Sequence, residues 1–193
     1  PRLGVEDAVA AAYTVFGIDG RASELPSERD QNFRIDSDAG ADDSERFVLK
    51  ISNAAESEAL LDLQQRVLER LRGHVDDFAF PEPVPTVEGD EIGTIERDGR
   101  AHAVRMLRWV EGTPLGDARP RSHEMMADLG TLAGALGAAL EDFEHAGADR
   151  QLKWDLCRAA EEIEQRLPQI ADPARRALVE RLTDGATARV TKR

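Results

Sequence analysis

Apolar residues recur at helical spacing at the start of the chain and then give way to short extended segments. Val5, Val9, Ala12 and Phe16 lie three or four positions apart, and Gly17, a common helix C-cap residue, follows them. This pattern predicts an opening amphipathic helix. The alternation of apolar and polar residues that follows predicts three strands, at 21–25, 32–36 and 46–51.

A second amphipathic helix is predicted over 54–72, because its leucines and valine repeat every three or four residues. Prolines at 81, 83 and 85 argue against regular structure in the segment after it. Asp98 and Gly99 form a two-residue turn signal between two further predicted strands, at 91–97 and 100–107. The first part of the chain is therefore expected to hold five strands and one main helix.

The pattern becomes helical throughout after Trp109. Apolar residues at helical spacing predict a long helix over 125–143, which His123 and Glu124 begin, and shorter helices over 156–167 and 174–182. Gly112 and Pro114 suit a linker. We therefore expect an α+β chain with a first lobe at 1–107, a hinge at 108–114 and a helical lobe at 115–193.

Composition and charge argue against two classes of partner, membranes and nucleic acids. The 193-residue chain is 41% hydrophobic, and its apolar stretches are shorter than the ~20 residues of a membrane-spanning helix, so no membrane partner is expected. A formal charge of −13 argues against nucleic acid as a partner. The start of the chain lacks the features of a secretory signal, and Cys157 is its single cysteine, which favours a reducing, cytoplasmic environment.

Lys50 is the first candidate functional residue. It lies within an apolar, β-branched strand directly before a helix, where a cation either reaches out to solvent or meets an anion. The lysine alone does not decide between these two interpretations. The order of elements favours the second, because strand, turn, strand, lysine-bearing strand, helix and hairpin follow one another as in the small lobe of protein-kinase-like enzymes.

Four segments together resemble the aminoglycoside phosphotransferase and choline kinase superfamily, with the closest similarity to hydroxylysine-kinase-like or homoserine-kinase-like members. They lie at 25–33, 47–52, 106–115 and 154–156. The resemblance implies a protein-kinase-like fold and the phosphorylation, by ATP or GTP with Mg²⁺, of a hydroxyl on a small amino-containing metabolite. It also implies that Lys50 contacts the nucleotide phosphates.

Further site residues are implied by the same resemblance. The turn from Ser27 through Arg29 to Asn32 would cover the phosphates, although it lacks the family's glycines and is equally consistent with a solvated hairpin turn. The Trp109 carbonyl and Val110 N–H would bind the base. The walls of the base pocket would be four apolar residues that also suit an ordinary core: Ile35, Val48, Met106 and Leu107.

The carboxylate that the family places on the helix after the lysine is not found at the expected position. Gln64 and Gln65 stand near the middle of that helix, and Glu58 is the nearest acidic alternative. All three also suit solvent-facing helix positions. The sequence therefore leaves three candidates for the residue that pairs with Lys50.

The residues that would carry out phosphoryl transfer are not found in the sequence. The superfamily uses a His-Gly-Asp-type loop with a later Asn and a metal-binding Asp, and none of the four histidines is followed by such a pair. No protein metal ligands and no other catalytic set are predicted. We expect an N-terminal part of a kinase, inactive by itself. The alternative is a non-catalytic, kinase-derived module that binds nucleotide weakly or serves assembly, with self-association through an uncovered helical face.

Overall fold

A computed structural model of the chain describes residues 2–38, 45–150, 155 and 159–190, without side chains after 185. Trp154 and Cys157 lie outside the described residues. The chain divides into two compact units, Pro1–Ala148 and Asp149–Arg193. The lobe boundary expected at 108–114 stays a prediction.

The first unit is a mixed structure of helices and one antiparallel sheet. Its helices are α1 (Val5–Phe16), α2 (Glu58–Arg72) and α3 (His123–Ala139), followed by a 3₁₀ turn at Ala146–Ala148. Its strands are β1 (Gly20–Leu25), β2 (Gln31–Ser37), β3 (Arg46–Ile51), β4 (Pro83–Val84), β5 (Gly93–Arg97) and β6 (Arg100–Arg108). The sheet runs in the order β1-β2-β3-β6-β4, and β5 also pairs with β6.

The sheet has six strands where the sequence predicts five. The additional strand is β4, in the segment whose prolines argue against regular structure, so that part of the prediction is wrong. Pro83 pairs with Leu107 at the margin of the sheet, where a missing N–H is tolerated, and the Arg108 N–H donates to the Glu82 carbonyl at 2.8 Å.

Helix α2 begins four residues later than predicted, because two side chains compete for the backbone before it. Asn53 Oδ1 accepts the Ala55 N–H at 3.0 Å, which stabilises a turn instead of a helix. Ser57 then caps α2, since its Oγ accepts the Leu60 N–H at 3.3 Å. The long helix predicted up to residue 143 is α3, which begins at His123 as expected and ends earlier than predicted, at Ala139.

One face of the sheet packs against α1 and forms the main core. Every second residue of β2, β3 and β6 faces this core, as expected for strands with one buried side. Its members include Ala8, Ala12 and Phe16 from α1, with Phe33, Ile35, Phe47, Leu49, Ile51, Val104 and Met106 from the sheet. A smaller cluster joins α2 to α3 through Leu71, Val75 and Ala139. The opposite face of the sheet does not pack against α1.

The second unit is helical. It contains α4 (Ala159–Arg166), a 3₁₀ turn at Leu167–Gln169 and α5 (Pro173–Val190). Asp172 caps the N-terminus of α5, since its Oδ1 accepts the Ala174 N–H at 2.8 Å. Among the described residues, no helix is long and apolar enough to cross a membrane.

Candidate nucleotide-binding face

Three polar side chains lie side by side on the sheet face opposite α1. In the antiparallel register, Asn32 on β2 pairs with Lys50 on β3, and Lys50 pairs with Arg105 on β6. Residues directly opposite one another in antiparallel strands project from the same face. The register thus brings together two of the residues that the resemblance implies for the nucleotide site, Lys50 and Asn32.

Lys50 is partly buried, and its ammonium contacts a neutral side chain. Its Nζ donates to Asn32 Oδ1 at 3.1 Å. Burial lowers the pKa of Lys50, the Arg105 charge lowers it further, and the Asp30 carboxylate acts in the opposite direction. The lysine is thus a cation in a partly desolvated place beside a second cation.

Arg105 is the residue of this face that the sequence analysis missed. Its side chain is only 2% exposed, and its Nη2 donates to Gln64 Oε1 on α2 at 2.8 Å. Burial lowers the pKa of Arg105, against the attraction of Asp30 and Glu56. The signal available in the sequence was a charged residue between Val104 and Met106, the same arrangement as Lys50 between Leu49 and Ile51.

The β1–β2 turn is tied to the segment before α2. Asp30 Oδ1 accepts the Asn53 N–H at 3.1 Å, and the Arg29 guanidinium lies 3.7 Å from the Glu56 carboxylate. Ser27 is exposed. The turn is therefore held close to the Lys50 strand at its Asp30 and Asn32 end, and Ser27 has no described contact that fixes it.

None of the three residues considered as partners of Lys50 forms that contact here. Glu58 is exposed at the first turn of α2, and Gln64 is bonded to Arg105. Gln65 is fully buried, and both of its amide atoms lack a hydrogen-bond partner among the described residues. The partner that the structure gives Lys50 is Asn32.

The four predicted wall residues divide between the two faces of the sheet. Val48 and Leu107 are cross-strand partners. Val48 lies two residues before Lys50 on β3, and Leu107 lies two residues after Arg105 on β6, so both share the face of Lys50. Ile35 and Met106 are 0% and 1% exposed in the core against α1. Those two residues therefore do not line the Lys50 face, which corrects the set expected from the sequence.

The predicted hinge follows β6 directly. The Trp109 N–H donates to the Arg46 carbonyl at 2.9 Å, and the Arg34 guanidinium lies 5.4 Å from the centre of the Trp109 ring. No described residue bonds to the Trp109 carbonyl or to the Val110 N–H. One main-chain acceptor and one main-chain donor are thus available beside Leu107.

The described residues offer no alternative centre for metal chemistry. No group of three or more His, Cys, Asp or Glu side chains among them is placed to hold a metal ion. An open groove of about 630 Å³ occurs in the second unit, but Ile163, Leu167, Ile170 and Val179 make its lining largely apolar. Within the described part of the chain, the Lys50 face is the place where cations and free main-chain groups come together.

Comparisons with known proteins give the family of the chain. The family model described as "Phosphotransferase enzyme family" matches residues 21–192. The mouse (Mus musculus) protein "Hydroxylysine kinase" is 35% identical over 150 residues, which cover 72% of this chain and 39% of that protein.

Two solved structures share the fold. An amicoumacin kinase in complex with AMP-PNP, Ca²⁺ and Ami superposes with a TM-score of 0.70 at 14% identity, over 97% of this chain and 54% of the other. A microcompartment-associated aminopropanol kinase gives a TM-score of 0.67 at 14% identity, over 93% of this chain and 55% of the other. The chain thus spans about two fifths to just over half of the length of these relatives. On the family match and the 35% identity, the chain belongs to the phosphotransferase enzyme family.

Proposed function

We propose that this chain forms the nucleotide-binding part of an ATP- or GTP-dependent small-molecule kinase. The observation that carries the proposal is a row of three residues on the sheet face opposite α1: Asn32, Lys50 and Arg105. Neither of its two cations forms an ion pair with a described carboxylate. Two neighbouring cations favour a polyphosphate ligand. In a chain of net charge −13, such a local excess of positive charge is a specific feature and not a general property of the surface.

The residues around this row fit the rest of a nucleotide. In the proposal, Lys50 contacts the phosphates, while Asn32 orients the lysine and Arg29 adds charge at the turn. Val48 and Leu107 form one wall of the base slot, and the free carbonyl of Trp109 and N–H of Val110 bind the edge of the base. Main-chain groups of this kind are compatible with either ATP or GTP.

The acceptor is proposed from the relatives alone. Hydroxylysine kinase and aminopropanol kinase are named for small molecules that carry both an amine and a hydroxyl. We therefore place the acceptor among small amino alcohols of the aminoglycoside, choline, homoserine or hydroxylysine type. The nucleotide would bring Mg²⁺, but the described residues supply no metal-binding cluster, so no step of the proposal is assigned to the metal.

The 193-residue chain is proposed to bind nucleotide without transferring phosphate, because its sequence contains no His-Gly-Asp-type loop. A cytoplasmic location and self-association through a helical face stay predictions. The second of these is supported by exposed apolar side chains on the described helices, namely Met126 and Leu129 on α3 and Leu178 and Leu182 on α5.

Calorimetric titration with ATP, GTP and adenosine tests the proposal. Lys50→Met is expected to weaken ATP binding by about tenfold to a hundredfold, since a charge-assisted hydrogen bond contributes about 1.5–3 kcal/mol. Adenosine, which lacks phosphates, should bind both proteins equally. Arg21→Met, which removes an exposed cation from β1, is the matched control and should bind ATP like the parent.

Two results would contradict the proposal. A folded parent chain that binds neither ATP nor GTP would leave the family fold without nucleotide binding and favour an assembly module. Equal ATP affinity of the parent and Lys50→Met would show that Lys50 does not contact the bound nucleotide.

A further inference from the structure

The Lys50 face contains a second cation, Arg105, and the assignment above counts its charge without saying what this residue does in the site. Arg105 lies directly across the β3–β6 ladder from Lys50. Like charges at such positions destabilise a sheet. A charged side chain that is only 2% exposed is rare in proteins unless an opposite charge pairs with it. The arrangement is therefore costly for the fold alone.

The surroundings of Arg105 hold it in place without a direct ion pair. Its bond partner, Gln64 Oε1, is a neutral amide oxygen at 2.8 Å, and its Nε has no hydrogen-bond partner among the described residues. Asp30 and Glu56 favour the charge of Arg105 from a distance. Their direct contacts are with other groups, since Asp30 accepts the Asn53 N–H and Glu56 lies 3.7 Å from Arg29.

We propose that Arg105 is a positioning residue of the phosphate site, which supplies a second, buried positive charge beside Lys50 and keeps the lysine available to a triphosphate. The inference rests on the proposed function and adds a residue to it. A bound triphosphate would neutralise both cations, whereas Asn32 and Gln64 only orient them. Gln64 is then required to be neutral, since a carboxylate at this position would cancel the charge of Arg105.

Gln64→Glu is the most informative variant. The new carboxylate should pair with Arg105, so the thermal midpoint is expected to rise. The affinity for inorganic triphosphate should nevertheless fall by about tenfold, because the charge that attracts it has been neutralised. Adenosine affinity should not change. If Arg105 served only to hold β6 and α2 together, triphosphate affinity would not depend on its charge, and folded Arg105→Met would bind triphosphate like the parent.

Charge and shape are separated by two substitutions at Arg105 itself. Arg105→Lys keeps the charge and should retain most of the triphosphate affinity, while Arg105→Met should lose about as much as Gln64→Glu does. Arg100→Met, on the exposed end of the same strand, is the control and should bind like the parent. If Arg105→Met does not fold, Gln64→Glu and Arg105→Lys still decide the question.

The two proposals fail in different ways. Absence of triphosphate and ATP binding by the folded parent would overturn both of them. Binding that Lys50→Met weakens but Gln64→Glu does not would overturn the role of Arg105 and leave the nucleotide face in place.

Discussion

Replacing Lys50 with methionine should weaken nucleotide binding while changing the stability of the fold little. The Lys50 ammonium donates one described hydrogen bond, to the neutral Asn32 amide, and lies opposite Arg105. A hydrogen bond with one charged partner contributes about 1.5–3 kcal/mol to stability. Repulsion between directly opposed like charges acts in the other direction, on the scale of about 0.2–1 kcal/mol for such pairs.

This repulsion and the desolvation of the partly buried ammonium offset part of the contribution of the bond, and methionine keeps most of the apolar stem of the lysine in place. The free energy of unfolding of Lys50→Met should therefore lie within about 2 kcal/mol of the parent value. The neighbouring Leu49 is 0% exposed and faces the α1 core, so Leu49→Ala should cost about 2–5 kcal/mol.

Urea unfolding followed by circular dichroism measures both values under the same conditions. A loss of more than about 2 kcal/mol in Lys50→Met would refute the reasoning, because it would place that change within the range of a core truncation. The lysine would then be retained for the fold, and its position beside Arg105 would no longer indicate a ligand.

Four substitutions elsewhere test the packing, the α2 cap and the base slot. Gly93→Ala should lose about 1–3 kcal/mol in urea unfolding, because its Cβ would lie 2.3 Å from Val15 Cγ1. Gly134→Ala, with open space around it in α3, should instead gain about 0.5–1 kcal/mol, and equal effects would contradict the packing. Ser57→Ala should cost about 0.5–2 kcal/mol through loss of the α2 cap, and an unchanged midpoint would show that the cap is dispensable. Leu107→Ala should weaken adenosine and ATP binding equally in a calorimetric titration; unchanged adenosine affinity would remove it from the base slot.

Local patterns in the sequence were sufficient for most of the fold. The α1 stripe, the three strands after it and the Asp98-Gly99 hairpin depend on spacing and turn chemistry, which act over a few residues. Strand β4 could not be predicted in this way, because two residues that include Pro83 form a strand only where β6 is already present to pair with them. Strand β4 therefore depends on its pairing with β6 and not on its own sequence.

The candidate site was predictable in part, for a similar reason. Lys50 and Asn32 were found through the family resemblance, but Arg105 joins them only through the β3–β6 register, which no local pattern fixes. The division of the wall residues was available from the sequence. Met106 and Leu107 are neighbours in one strand, and neighbours in a strand point to opposite faces, so they could not line the same pocket.

Hydrogen exchange of the 193-residue chain with and without saturating ATP tests the central claim most directly. The account predicts slower exchange in β2, β3 and the segment 107–111, with no change in α1, which packs on the opposite face of the sheet. Protection confined to α1 or to the second unit, or no protection in any part of the chain, would contradict the claim that the Lys50 face binds the nucleotide.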